Sequence, residues 1–400
     1  MDWPGFRGHG DSLAVPQNPP LHWSDTTNVA WRVGLAGTGQ SSPICWQGTV
    51  YVSSVSGDRK NTWILQAMDS VSGRERWRHT QSSALPDELS DTRSQAAPTP
   101  VAGAEGVFAF LESGDCLALT HDGKVRWHRT VTQEVGELAN NHGLGGSPIL
   151  AGDCLVVPLD QEKPSCLLAL DRQSGVTRWK SPRPGRSAWS TPVFVPDPAA
   201  PQIVVSGGGT VTSYRVSDGT TLWELAGFVK NLVPSPTLAD SLLVVAAGSK
   251  GSNAAFTWRG ATNTPTELWR ADDVSSGFAS PLVHRGRVYF VGTAGVVNCR
   301  EASTGRLLFE ERTSQSVWAS PVGAGNHVYL FGDKGVTTVL EASNSFTPLA
   351  TNRLSVLGKV VGLALDNNAF LLRSQKELLR IDTKEPSPAG PSRNRTSPGD

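Results

Sequence analysis

The sequence predicts an all-β fold, an eight-bladed β-propeller of four-stranded antiparallel blades. Three observations predict it. A polar turn with glycine and a following aromatic recurs along the chain, a Ser/Thr-Pro dipeptide recurs between these turns, and successive copies lie 40 to 57 residues apart. Repetition at a period of about 40 to 50 residues, with four short strands in each unit, is typical of propeller blades.

The first repeat is clearest at residues 171–179, Asp-Arg-Gln-Ser-Gly-Val-Thr-Arg-Trp, where tryptophan follows four residues after glycine. Related copies occupy residues 69–77, 121–127, 216–223 and 303–309. Glycine tolerates the positive φ of a tight hairpin turn. The aromatic therefore falls at a fixed position on the strand that leaves each turn.

The second repeat is a Ser or Thr followed by proline and an apolar run. The prolines are Pro43, Pro100, Pro148, Pro192, Pro236, Pro281 and Pro321, separated by 57, 48, 44, 44, 45 and 40 residues. A decayed eighth copy has Gly362 in place of proline, 41 residues after Pro321. Proline can open a strand because its missing N–H lies outside the ladder. Eight landmarks predict eight blades.

The units differ at the end of the chain. The sixth unit fits four strands, after Pro281 and over residues 287–291, 296–300 and 307–309. The last unit has strands near 360–365, 369–373 and 377–381, but no fourth strand with its aromatic. We predict that the segment from Asn28 to Val33, which carries Trp31, forms the outer strand of the last blade. This pairing closes the ring and covers two sheet edges.

Three regions follow from this assignment. Residues 1–27 form an irregular lead-in, residues 28–382 form the propeller domain, and the proline- and serine-rich residues 383–400 form a disordered tail. Gly207, Gly208 and Gly209 separate two predicted strands, so they indicate a hairpin turn. A phosphate-binding loop would need a helix there.

Composition excludes several classes of function. The chain has 36 basic and 36 acidic residues and only 18% charged residues, which gives no electrostatic case for nucleic acid or an anionic membrane surface. No run of 18 apolar residues predicts a membrane span.

The five cysteines lack zinc-site spacing, and the favoured interpretation is small buried hydrophobes. A pair between Cys154 and Cys166, on the two arms of one predicted hairpin, is the alternative. The chain begins directly with Met1, Asp2 and Trp3 of the domain, which fits either a cytosolic protein or one whose export signal has been removed.

Residues 169–179, Ala-Leu-Asp-Arg-Gln-Ser-Gly-Val-Thr-Arg-Trp, resemble the repeat of pyrroloquinoline-quinone-type eight-bladed propellers. That repeat occurs in quinoprotein alcohol dehydrogenases and in the outer-membrane assembly lipoprotein BamB. The opening residues 3–8, Trp-Pro-Gly-Phe-Arg-Gly, together with Trp23 and Trp31, are similar to a bacterial group of PQQ-binding-like repeat proteins. The resemblance covers residues 2–382 and implies a periplasmic or extracellular protein, with the cytoplasm still open. It also implies that the repeat tryptophan packs blade against blade and touches no cofactor.

The same resemblance defines what an active quinoprotein would contain. Its members carry calcium held by acidic and amide side chains, a catalytic aspartate, an adjacent pair of cysteines and a tryptophan under the quinone. Calcium takes six to eight oxygen ligands. In this chain no two cysteines are adjacent and acidic residues are sparse in the predicted funnel loops. We therefore expect no catalytic residue, metal or cofactor, with PQQ and calcium bound only under the alternative.

The candidate binding site is a ring formed by the residues just before each Ser/Thr-Pro, because the first strand of a blade is innermost. The ring comprises Gln40, Arg93, Gln95, Asn141, His142, Trp189, Lys230, Asn231, Phe278, Trp318 and Lys359. Amide, cationic and aromatic groups together could hold a planar anion or a sugar. For Trp189 and Trp318, plugging the channel or packing between blades is an equal alternative. His142 fits a hydrogen-bonded loop residue, and Arg93 and Lys359 fit solvated loop charges.

The sequence thus predicts a non-catalytic binding or scaffold module, monomeric, that presents its top face and central channel to a protein or a small ligand. One alternative is a degenerate or unusual PQQ-dependent quinoprotein oxidoreductase. A carbohydrate-binding propeller is the other.

Overall fold

The strands of this chain form eight separate sheets arranged as a β-propeller, as the sequence predicts. The computed structural model describes residues 2–82, 96–138, 140, 142–162, 164–185, 187–228, 233–239, 241–248, 250–258 and 264–383. The predicted tail from residue 384 onward lies outside this range. Of the described helices, none has the length and apolar character needed to cross a bilayer.

Each blade is an antiparallel sheet whose strands follow one another from the channel outward. Strands β1 (Leu13–Ala14) and β2 (Val29–Gly34) precede the first blade. Blade 1 comprises β3 (Ile44–Trp46), β4 (Thr49–Ser56), β5 (Thr62–Asp69) and β6 (Glu75–Ser82). Blade 2 comprises β7 (Val101–Gly103), β8 (Gly106–Phe110), β9 (Asp115–Leu119) and β10 (Val125–Thr130), and the short helix α1 (Thr132–Val135) follows it. Blade 3 comprises β11 (Ile149–Ala151), β12 (Cys154–Leu159), β13 (Cys166–Asp171) and β14 (Thr177–Pro182).

The second half of the ring repeats this arrangement. Blade 4 comprises β15 (Val193–Val195), β16 (Gln202–Gly207), β17 (Thr210–Arg215) and β18 (Thr221–Ala226). Blade 5 comprises β19 (Thr237–Ala239), β20 (Leu242–Val245), β21 (Asn253–Thr257) and β22 (Thr266–Ala271). Blade 6 comprises β23 (Leu282–His284), β24 (Arg287–Val291), β25 (Val296–Glu301) and β26 (Leu307–Arg312). Blade 7 comprises β27 (Val322–Ala324), β28 (His327–Phe331), β29 (Val336–Glu341) and β30 (Pro348–Arg353). Blade 8 comprises β31 (Val360–Asp366), β32 (Ala369–Ser374) and β33 (Glu377–Ile381).

The amino-terminal strand β2 completes blade 8. It pairs antiparallel with β33, with Val29 opposite Ile381 and Gly34 opposite Glu377. The predicted closure is therefore confirmed. The lead-in also contributes β1, which runs parallel to β27 and adds a fifth strand at the inner edge of blade 7.

The repeat tryptophans dock each blade on the next one, as predicted. Five of the indoles donate from Nε1, at 2.7–3.1 Å, to a backbone carbonyl in the glycine turn of the following blade, whereas Trp223 donates to Gln202 of its own blade at 3.2 Å. In the described part of the chain this holds for Trp31, Trp77, Trp127, Trp179 and Trp269. Gly175 shows why the turn needs glycine, since its φ is +73° and a Cβ would lie 2.8 Å from the ring of Trp127.

The Ser/Thr-Pro landmarks form a ring of hydrogen bonds around the channel. The backbone N–H of each landmark Ser or Thr donates to the hydroxyl of the next landmark at 2.9–3.0 Å. The sequence of donors and acceptors is Ser42, Thr99, Ser147, Thr191, Ser235, Ser280 and Ser320. The hydroxyl of the repeat therefore satisfies a buried backbone group of the neighbouring blade.

At the closure a different contact replaces this pattern. Blade 8 carries Gly362 in place of proline, and a Cβ there would lie 2.2 Å from the Ser42 hydroxyl. The buried Arg373 donates to the backbone carbonyl of Ser41 at 2.7 Å, which ties blade 8 to blade 1. Burial lowers the pKa of Arg373 to about 9.

All five cysteines are buried and unpaired. In the hairpin of β12 and β13, Cys154 lies opposite Asp171 and Cys166 lies opposite Leu159. The two thiols are thus at opposite ends of the hairpin. The alternative of a pair between them is wrong, because the register of the strands separates them.

The glycine run lies between β16 and β17, which pair antiparallel. This confirms the predicted hairpin turn at Gly207–209.

Candidate binding surface

The loops that lead into each innermost strand and the turns between second and third strands lie at the same end of the propeller, because the strands of a blade alternate in direction. Contacts between them confirm this, since the N–H of Val317 donates to the carbonyl of Thr293 at 3.1 Å. We call this end the upper face. The glycine turns that receive the repeat tryptophans lie at the opposite end, the lower face.

Residues 3–14 occupy the channel from the lower side. Their backbone contacts the innermost strands of blades 1, 2 and 7 through hydrogen bonds of 2.8–3.1 Å. The pairs are Trp3 with Cys45, Pro4 with Ala102, and Ser12 with Gly323. The segment also reaches the far side of the ring, because the Arg7 side chain donates to Thr237 of blade 5, the blade opposite blade 1. The lead-in therefore crosses the channel.

Arg7 is buried at the centre of this segment, with 4% of its surface exposed. Its Nη2 donates to the Thr237 hydroxyl at 2.6 Å and to the Pro281 carbonyl at 3.0 Å. Its Nη1 donates to the Pro236 carbonyl at 3.3 Å, and its Nε donates to the Ser12 hydroxyl at 2.9 Å. Burial lowers the pKa of Arg7 to about 10, so the group stays protonated at neutral pH. The channel consequently contains a fixed positive charge.

In the loops that lead into blades 1, 3 and 4, the predicted residues contact the loop of a neighbouring blade. Trp189 is half-buried, donates from Nε1 to the Gly143 carbonyl at 2.9 Å, and lies 5.9 Å from the ring of the exposed His142. Gln40 is exposed, and its N–H donates to the Ala96 carbonyl at 3.1 Å. For Trp189 these contacts favour the packing alternative.

On the blade 6 to blade 8 side, three predicted residues come together. The ring centroids of Phe278 and Trp318 are 4.7 Å apart, and Lys359 Nζ lies 4.6 Å from the Trp318 ring. Phe278 and Trp318 are each 42% exposed, and Lys359 is exposed. Because they belong to the loops that lead into blades 6, 7 and 8 in turn, the indole lies between its two neighbours. We call these three residues the rim cluster.

The remaining predicted rim residues, Arg93, Gln95, Asn141, Lys230 and Asn231, lie outside the described residues.

The backbone of Asp333 holds the rim cluster in place. Its N–H donates to the Ser316 carbonyl at 3.0 Å, and its carbonyl accepts from the N–H of Val360 at 2.8 Å. Asp333 therefore links the loop of Trp318 to the loop of Lys359.

An open depression of about 670 Å³ adjoins the rim cluster. It is lined by Thr293, Ala294, Arg312, Thr313, Ser314, Gln315 and Ser316. The bond between Val317 and Thr293 joins this depression to the loop that carries Trp318.

Sequence reasoning missed four exposed residues around the rim cluster. Leu357 is 58% exposed, and Arg312, Lys334 and Lys376 are exposed cations. A signal was available: the loops 313–321 and 354–359 contain no acidic residue. Counting the charges of each loop on the predicted upper face would have pointed to these exposed cations.

Comparison with known proteins agrees with this geometry. A family model described as outer membrane protein assembly factor BamB matches residues 4–187 and 260–346, which is more than half of the chain. The chain belongs to this family. No curated protein matches it significantly in sequence.

Solved structures show the same fold at low identity. BamB from Moraxella catarrhalis is 17% identical with a TM-score of 0.67, covering 90% of this chain and 98% of that one. Quinohemoprotein alcohol dehydrogenase from Comamonas testosteroni is 10% identical with a TM-score of 0.70, covering 97% and 82%. The computationally designed Ika8 protein is 12% identical with a TM-score of 0.61, covering 93% and 99%. A fold shared by an assembly factor, an enzyme and a designed protein does not by itself imply an activity.

Proposed function

We propose that the protein is a non-catalytic binding or scaffold propeller that presents the upper rim of blades 6 to 8 to a protein partner. The rim cluster carries this proposal, together with Leu357 from the loop of Lys359. Phe278, Trp318 and Leu357 are large, exposed hydrophobic residues on three consecutive rim loops. Exposed apolar groups that lie together, rather than singly, mark interaction sites.

Membership of the BamB family supports this class of function, because the family is described as an assembly factor of outer membrane proteins. The proposal places the protein in the periplasm or outside the cell, which is also what the resemblance to PQQ-binding-like repeat proteins implies. It acts there as a monomer without a cofactor.

A quinoprotein is the rival, since quinohemoprotein alcohol dehydrogenase shares the fold. Calcium, which the rival needs, takes several oxygen ligands, many of them carboxylates. Within the described ranges no three His, Cys, Asp or Glu residues are grouped so that they could hold a metal. The Arg7 guanidinium also stands in the channel. The described residues therefore offer a quinoprotein's calcium no such group of ligands, and they place a positive charge in the channel where the quinone would lie.

A carbohydrate site receives less support than a protein site. Sugars stack on a free aromatic face, as planar apolar surfaces do. The Trp318 ring already has Lys359 Nζ at 4.6 Å and Phe278 at 4.7 Å. Trp189 packs on its neighbouring loop.

Photo-crosslinking in the living cell tests the proposal. A benzophenone amino acid at Leu357, which is 58% exposed on the upper rim, should give a discrete adduct with one protein. The matched control is Val176, which is 61% exposed in a glycine turn of the lower face, and should give none. Adducts of equal yield at both positions, or at Val176 alone, would contradict the proposed surface.

A further inference from the structure

We infer that the upper rim of blades 6 to 8 recognises an acidic segment of a protein, with carboxylates flanking an apolar side chain. This inference rests on the proposed function and names the chemistry of its partner. It follows from the charge, the exposed apolar residues and the shape of this one surface.

Exposed cations without an acidic partner gather on the blade 7 and blade 8 part of this rim. Its exposed cations are Arg312, Lys334, Lys359 and Lys376. The surrounding loops 35–43, 313–321 and 354–359 contain no Asp or Glu, and Asp333 in the blade 7 turn is buried. Asp25 and Glu377, which contact the loop of Leu357, both pair with Arg32, at 2.9 and 3.4 Å. The other exposed acids, Asp272, Asp273, Glu310 and Glu311, lie on the blade 6 side of the rim. The whole chain has a formal net charge of zero, so this concentration of positive charge is local.

These four cations form no ion pair within the part of the chain that the structure describes. On the lower face, by contrast, several exposed arginines pair with acids of their own turns. Arg76 pairs with Asp69 at 2.7 Å, and Arg178 pairs with Asp171. Unpaired cations gathered on one surface attract an anionic partner and raise its rate of association.

The apolar part of the surface lies among these charges. Phe278 and Trp318 pack together, with Leu357 on the next rim loop. The depression of about 670 Å³ beside them is large enough to take a side chain of a bound segment. Aromatic residues and arginine at the centre of a contact, surrounded by polar groups, are typical of energetically important interface positions.

The shape favours a protein segment over a lipid surface. Side chains that insert into a membrane interface have to stand free of the protein with an apolar face available. The Trp318 ring is instead held between Phe278 and Lys359, beside a concave depression. A segment that brings its own side chain into the depression fits this arrangement better than a flat headgroup layer.

Fluorescence anisotropy with the full chain tests the inference. The probe is a short fluorescein-labelled peptide that alternates glutamate with phenylalanine, and the comparison probe alternates lysine with phenylalanine. We expect the glutamate peptide to bind about tenfold more tightly or better, with an affinity that falls as salt is added. Equal affinity for the two peptides would overturn the inference.

Charge reversal identifies the surface. The double variant Lys334→Glu, Lys359→Glu should weaken binding of the glutamate peptide by about tenfold or more. The control Arg74→Glu, Lys124→Glu makes the same change in net charge on exposed turns of the lower face, and should weaken binding by less than about twofold. Equal losses in the two double variants would show unspecific attraction and overturn the inference.

Vesicles that contain phosphatidylglycerol provide the third arm. If they bind the protein through Lys334 and Lys359 while the glutamate peptide does not bind, the surface recognises a membrane and the inference is wrong. If the glutamate peptide does not bind but the crosslink at Leu357 still forms, only the inference of an acidic partner is wrong. Loss of the crosslink removes the proposed function itself.

Discussion

At the scale of single residues, Gly175 shows how the repeat limits its own sequence. Its φ of +73° and the ring of Trp127, 2.8 Å from where a Cβ would be, both exclude a side chain. We expect Gly175→Ala to lower the free energy of unfolding by about 2–4 kcal/mol, from backbone strain and overpacking together. Urea unfolding measures this.

Gly286 provides the matched control, because it has the same φ of +73° but no atom within 4 Å of the place that a Cβ would take. Gly286→Ala should cost only about 1 kcal/mol, the part due to the backbone. Equal losses in the two variants would mean that the docked tryptophan contributes nothing to the requirement for glycine.

His284 gives the stability of the protein a dependence on pH. It is 4% exposed in β23, its Nε2 donates to the Gly325 carbonyl at 3.1 Å, and Arg285, Arg287 and His327 are its charged neighbours. Burial, followed by the charge of Arg285, lowers the pKa of His284 to about 4. The unfolded state, with a pKa of about 6.5, therefore takes up the proton first as the pH falls.

The stability contributed by neutral His284 should be complete above pH 6.5 and lost as the pH falls towards 4, by at most roughly 3 kcal/mol. His284→Gln, which cannot titrate, should flatten the dependence of unfolding free energy on pH across this window. Parallel curves for the two proteins would show that another group causes the dependence.

At the scale of the element, β2 and the lead-in before it complete the ring. Deleting residues 1–35 removes the partner of β33 and exposes a strand edge, and it also removes the channel segment. The melting temperature should fall sharply and aggregation should increase. Deleting only residues 2–14 leaves β2 in place and should cause a smaller fall. An unchanged melting temperature in the longer deletion would contradict the closure.

The ring of landmark hydroxyls makes a separate contribution. Thr191 accepts the Ser147 N–H at 3.0 Å and is buried. Thr191→Val keeps the volume but leaves that buried N–H without a partner, which should cost about 1–3 kcal/mol. Thr221→Val, at an exposed position of β18, should change stability by less than about 0.5 kcal/mol. Equal effects in denaturant unfolding would contradict a role for the hydroxyl.

Much of this architecture could be predicted from the sequence because each blade repeats the same local signals. The blades could be located from the glycine turns and the Ser/Thr-Pro landmarks. The closure could be predicted from the strand around Trp31, which belongs to no complete unit of its own. The register of a hairpin was harder to predict. Cys154 and Cys166 were placed on the correct arms, but only the paired structure shows that they lie at its two ends.

The candidate site was predicted only in part. The rule that rim residues precede each landmark placed Phe278, Trp318 and Lys359 in one ring, and the structure brings them into contact. Leu357 and Lys334 were missed because their position depends on how neighbouring loops pack. Arg7 was missed because its burial depends on contacts with residues 229 to 274 positions away, which no local pattern encodes.

At the scale of the whole molecule, the propeller is asymmetric along its axis. Residues 3–14 cross the channel from the lower side, and the upper rim carries unpaired cations next to exposed hydrophobic residues. This arrangement suits a protein that binds a partner at its upper rim while its own amino-terminal segment fills the central channel.

The most direct test of that account is a titration of the full protein with PQQ and calcium, followed by thermal melting and by quinone absorbance. The account predicts an unchanged melting temperature and an unchanged spectrum at micromolar cofactor, because the lead-in and Arg7 occupy the channel. A clear rise in melting temperature with a shifted quinone absorbance would contradict it and make the protein a quinoprotein.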